Sequence, residues 1–167
     1  FFSAGGDGRL ILWDIGDEAP IDQRDAHPDS IAKAVASPRG DRVFTSGSSN
    51  NEDLSQMWIA GTGLEKAFEF EHLPGQAWCA AFSPDGRTLA FTRFGDRSEI
   101  YLLRVGKNYE LQGEPPGPVT PEDQSGFGVA WTPNGRDIVS RYGYYGGRGL
   151  WRMAASMPGK PVRLAFA

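Results

Sequence analysis

The sequence is poor in the residues that chemistry and membranes require. Its one cysteine, Cys79, rules out an intrachain disulfide and leaves the redox compartment open. No apolar run approaches the ~20 residues that cross a bilayer as a helix, so membrane insertion of this stretch is not expected. Lys and Arg never form a run longer than two, and the net charge is −4. Nucleic acid and anionic membranes attract clustered positive charge, so neither is expected as a partner. Neither GxGxxG nor GxxxxGK[ST] occurs, which removes the common phosphate cradles and with them any expected nucleotide cofactor. There is no Gly-x-Ser-x-Gly elbow, and His27 and His72 both sit in stretches that read as loops. A hydrolytic triad is therefore not expected, and the chain reads as non-enzymatic.

Turn-forming residues, by contrast, are plentiful, with Gly at 22 and Pro at 12. A hydrophobic fraction of 40% with 23% charged residues fits a globular chain. No signal peptide is visible, and the opening Phe1-Phe2 is apolar and strand-like rather than a Met start. The expectation is a cut made within a longer protein.

Two landmarks repeat along the chain. The first is a turn: Ser37-Pro-Arg-Gly40, Ser83-Pro-Asp-Gly86 and Thr132-Pro-Asn-Gly135. The second is an aromatic within a later apolar run: Trp13, Trp58, Tyr101 and Trp151. Both give a period in the forties, the range of repeat units that cannot bury their faces alone. Segments such as TLAFTRF and EIYLLRV are short, rich in β-branched and aromatic residues, and bounded by turn formers, so they read as strands. The turns suit hairpins. Pro presets φ, Asp or Asn accepts a local hydrogen bond, and Gly takes positive φ. Asp41, where the other units have Arg87 and Arg136, is a minor variation.

Period-two alternation places Ile100 and Leu102 on one face, and Tyr101, Leu103 and Val105 on the other. Both faces are apolar, so the sheet should be covered on both sides. In AWCAAF the same alternation puts Ala77, Cys79 and Ala81 together and pairs Trp78 with Phe82. Small residues on one face suit a strand crowded near an axis, with Cys79 as a small core residue. Sheets packed radially as propeller blades meet both requirements.

SPDGRTLAFTRFGDRSEIYLL resembles the TolB-like β-propeller repeat, also called the WD40-like or PD40 repeat. Trp13-Asp14 is a WD dipeptide, but no Gly-His pair precedes it, which favours the TolB-like branch over eukaryotic-type WD40 repeats. The resemblance implies an all-β propeller segment of about three full four-stranded antiparallel blades plus part of a fourth. The expected units are blade remnants at 1–28 and blades at about 29–75, 76–125 and 126–167, with the innermost strand of the first missing. The last unit looks similar to blades of large bacterial sensor proteins, in which the propeller follows a winged-helix regulatory or Ser/Thr kinase domain. That resemblance implies a non-catalytic interaction or sensor module, periplasmic or extracytoplasmic, binding a protein or small ligand. The alternatives are the gating propeller of a prolyl-oligopeptidase-type serine peptidase and a TolB-like periplasmic scaffold.

Three stretches carry candidate sites. DQRDAHPDS holds Asp22, Asp25, His27 and Asp29, ligand types for a divalent ion, but a solvated loop between units explains them better and no metal is expected. SRYGYYGGRG places Tyr142, Tyr144 and Tyr145 between Arg141 and Arg148. Tyr and Arg are common anchors of binding surfaces, so this is the candidate binding loop. The same residues also suit a long hairpin whose tyrosines cover a sheet edge, the commoner case. Thr120-Pro121-Glu122-Asp123 reads as the start of a one-turn helix capped by Thr120.

Overall fold

The three repeated turns each close a β-hairpin, and the hairpins organise the chain. In a computed structural model the described residues are 1–16, 19–49, 52–70, 76–93, 97–106, 118–120, 125–142, 149–156 and 161–166. Every regular element among them is a strand, arranged in four antiparallel sheets whose neighbours follow chain order. The first sheet contains β1 (Phe2–Ala4), β2 (Arg9–Trp13) and β3 (Pro20–Asp25). The second contains β4 (Ser30–Ala36), β5 (Arg42–Ser49), β6 (Glu52–Ala60) and β7 (Leu64–Glu69). The third is β8 (Ala77–Phe82), β9 (Thr88–Arg93) and β10 (Glu99–Arg104). The fourth is β11 (Gly126–Trp131), β12 (Asp137–Tyr142), β13 (Gly149–Ala154) and β14 (Val162–Phe166). Much of the stretch expected to supply a fourth strand to the third sheet, 107–117, lies outside the described residues.

Each sheet buries what its neighbour exposes. In the second sheet Val43 and Phe44 are adjacent on β5 and face opposite ways, as do Met57 and Trp58 on β6. The register pairs Val43 with Trp58 and Phe44 with Met57. Val43 and Trp58 join Leu10, Leu12 and Leu64 in a core shared with the first sheet. Phe44 and Met57 join Phe82, Leu89, Phe91, Tyr101 and Leu103 in a core shared with the third. Phe91 stacks between Phe44 and Tyr101, with centroids at 6.3 and 5.5 Å. Burying large apolar side chains on both sides of one sheet gives each about 1.5–3 kcal/mol relative to exposure. The expected two-sided burial of EIYLLRV holds, with Ile100, Tyr101, Leu103 and Val105 all buried.

The first strands of successive sheets, β4, β8 and β11, lie beside one another. Each carries a bulge opposite its hairpin partner: the register slips between Ile31 and Lys33, between Ala77 and Cys79, and between Phe127 and Ala130. A bulge inserts one unpaired residue and resets which face the following side chains occupy. This corrects the alternation expected for AWCAAF. Trp78 is the inserted residue and is 60% exposed, whereas Phe82 is buried; Cys79 is only half-buried. Thr120 has a role in the sheet. It is buried, and its hydroxyl accepts the Ile100 backbone N–H at 2.7 Å, so it serves a strand edge. Residues 121–124 lie outside the described residues.

Candidate functional site

The repeated turns build a recurring local network. Ser83 donates its hydroxyl to Asp85 at 2.6 Å and accepts the Thr88 N–H at 2.9 Å, while Asp85 accepts the Arg87 N–H at 3.0 Å. Thr132 and Asn134 reproduce this arrangement with a hydroxyl-to-amide bond of 2.8 Å. In the first turn Ser37 donates to Asp41 at 2.7 Å, so the acid after Gly40 takes the part that Asp85 plays elsewhere. The Ser83 hydroxyl, followed by the Arg87 N–H, holds the Asp85 carboxyl below the usual range.

These turns also stack on one another. Gly86 and Gly135 sit at φ of 70° and 67°, and a Cβ at either would meet the preceding turn's proline, Pro38 or Pro84, at 3.6 or 3.4 Å. Arg42 reinforces the stack. It is buried on β5 and reaches the Gly86 and Gly106 carbonyls of the third sheet, each at 3.4 Å. Trp131, at the end of β11, donates its indole N–H to the Ala81 carbonyl of β8 at 2.9 Å.

Between the third and fourth sheets, on the side that carries the turns, lies an open groove of about 930 Å³. Trp131, Leu102 and Val119 contribute its apolar lining. Pro84 and Asp85 come from one turn, Pro133 to Arg136 from the next, and Ala154 to Ser156 from the chain after β13. Two arginines, Arg104 at the end of β10 and Arg136 in the turn, complete it. Neither has an ion-pair partner among the described residues. The groove's acids are engaged elsewhere: Asp85 in its turn, and Asp137 at 4.0 Å from Arg152.

The residues singled out in the sequence fall elsewhere. Arg141 is exposed near the end of β12, and Tyr142 is the last residue of that strand; Tyr144, Tyr145 and Arg148 lie outside the described residues, as does His72. Because β12 starts beside the Thr132–Gly135 turn, its far end points away from the groove. The acidic stretch does not converge on a cation. Asp22 accepts the Leu64 N–H at 2.7 Å and the Gln23 N–H at 2.8 Å and pairs with Arg24, which keeps its carboxyl low. Asp25 and Asp29 are exposed. His27, expected in a solvated loop, is instead buried, with Nε2 2.9 Å from the Thr45 hydroxyl. Burial pushes its pKa down to about 4, against a weaker pull from Glu69. Among the described residues no group of His, Cys, Asp or Glu is placed to hold a metal.

The signal for the groove was partly present in the sequence. Arg136 follows the repeated turn, but only the packing of two sheets brings it to the same groove as Arg104 and Trp131.

No family model matches the chain. Among curated proteins it is 29% identical over 119 residues to autophagy-related protein 18 of Schizosaccharomyces pombe, covering 70% of this chain and 31% of that protein. Among solved structures it superposes on a chain of the mitotic checkpoint complex with a TM-score of 0.70 and 14% identity, covering 98% of this chain and 49% of the other. TolB from Acinetobacter baumannii matches with a TM-score of 0.62 and 19% identity, covering 95% of this chain and 37% of that one. These are propellers of WD40 and TolB type. The fold is that of a β-propeller. Its sheets are blades, successive hairpin turns pack on one another, and the groove is a seam between adjacent blades. The TolB-like resemblance is supported, alongside a likeness to WD40-type propellers. This chain spans about a third of the curated relative it matches. No helix among the described residues is long and apolar enough to cross a membrane.

Proposed function

We propose that this chain is a non-catalytic propeller module that binds a protein or small ligand in the seam between its third and fourth blades. The observation that carries the reading is the open groove, with Trp131 fixed by its bond to Ala81. A concave pocket that brings apolar side chains and a few convergent polar groups together is the default form of a binding site. The matched propellers, which are of non-catalytic kinds, support the same reading through the fold. The units at 1–28, 29–75, 76–125 and 126–167 are then successive parts of one wheel. A sensor role within a larger bacterial protein rests on the look of the last unit, and an extracytoplasmic location on the TolB resemblance. The loop from Arg141 to Arg148 is a second proposed contact, at the other end of β12.

Titration of a fragment library and a random-sequence peptide library into isotope-labelled chain tests this reading. Amide shifts should cluster on the groove-lining Ser83, Asp85, Thr88, Trp131, Asn134 to Asp137 and Ala154 to Ser156. Ligands that map to neither the groove nor the loop from Arg141 to Arg148, or none at all, overturn it.

A further inference from the structure

We infer that the seam takes an extended acidic peptide, whose carboxylates are held by Arg104 and Arg136 while an apolar side chain lies on Trp131. The inference rests on the proposed binding role of this groove. Its first support is charge. The chain is acidic overall, at −4, and its arginines are frequently committed: Arg9, Arg24, Arg39, Arg93, Arg97 and Arg152 all face carboxylates. Arg104 and Arg136 line one groove and face none among the described residues. An anionic ligand would pair with both, since the planar guanidinium fork recognises carboxylates in paired hydrogen bonds.

Shape is the second support. The lining comes from two adjacent blades and includes two prolines and the apolar Leu102, Val119 and Trp131 together with polar turn residues. A seam lined by successive turns and strand ends of two blades offers contacts along an extended chain. The acids already present do not compete for the arginines. Asp85 is held by Ser83 and the Arg87 N–H, and Asp137 faces Arg152.

Selection from a random-sequence peptide library on the intact chain, repeated with Arg104→Ala/Arg136→Ala, tests the inference. Wild-type selection should enrich Asp and Glu alternating with apolar residues. A selected acidic peptide should then bind about tenfold more weakly to the double variant, the scale of losing two partly exposed charge contacts. Arg87→Ala, in the preceding turn but not in the groove, should leave binding unchanged. Enrichment of basic or neutral peptides overturns the inference while leaving the binding module intact. Acidic peptides indifferent to the double variant overturn it in the same way. If no peptide is enriched and no ligand shifts groove amides, the acidic-peptide inference and the binding role fall together.

Discussion

The Nε2 of His27 lies 2.9 Å from the Thr45 hydroxyl, which also accepts the Trp58 indole N–H at 3.0 Å. A crossover loop, β5 and β6 are thereby tied into one buried chain. With Trp58 donating, the Thr45 proton can point to an unprotonated Nε2, so the network fits neutral His27. The same loop is clasped by the first sheet, where Gly8 O accepts the Ala26 and His27 N–H groups at 2.9 and 3.0 Å.

That arrangement makes stability depend on pH. The His27 pKa is about 4 when folded and 6.5 when free, so the unfolded chain binds the extra proton between these values. Stability contributed by the neutral histidine is full above pH 6.5 and is lost as pH falls toward 4. The loss reaches up to about 3 kcal/mol. Chemical denaturation across this range should show the decline, and His27→Gln should flatten it. An unchanged slope in the variant would assign the effect to other groups.

Gly47 should not tolerate a side chain. A Cβ there would lie 2.2 Å from the Ser30 carbonyl oxygen and 2.6 Å from His27 Nδ1. The carbonyl belongs to the neighbouring strand and cannot move without breaking the ladder. Gly47→Ala is expected to destabilise by about 2 kcal/mol or more, read from the denaturation midpoint.

Trp131→Phe keeps most of the apolar surface but removes the donor to the Ala81 carbonyl. The expected cost is about 1 kcal/mol, visible as a lower Tm. If the variant matches the wild type, the bond between blades contributes nothing net.

Arg42→Met tests the tie across the second seam. The stem remains buried, while the Gly86 and Gly106 carbonyls lose their guanidinium contacts. A loss of about 1–3 kcal/mol is expected, with the turn residues 83–88 exchanging amide hydrogens faster.

Much of the architecture is legible in the sequence because its causes are local. Strand propensity, period-two patterning and the Ser-Pro-x-Gly turns act over a few residues. The aromatics at 13, 58, 101 and 151 lie on β2, β6, β10 and β13, as the repeat implied. The candidate site was less legible. The loop from Arg141 to Arg148 stood out by composition, whereas Arg104 looked like an ordinary strand end.

Residue pattern alone makes the chain all-β, built from hairpins whose sheets need cover on both faces. It took the packed sheets to show that Trp78 turns outward, that His27 is buried against Thr45, and that Arg104 and Arg136 share one groove. The reason is physical. Bulges reset facing through the register with a partner strand, and a buried or shared position depends on sheets that meet only after the chain has folded.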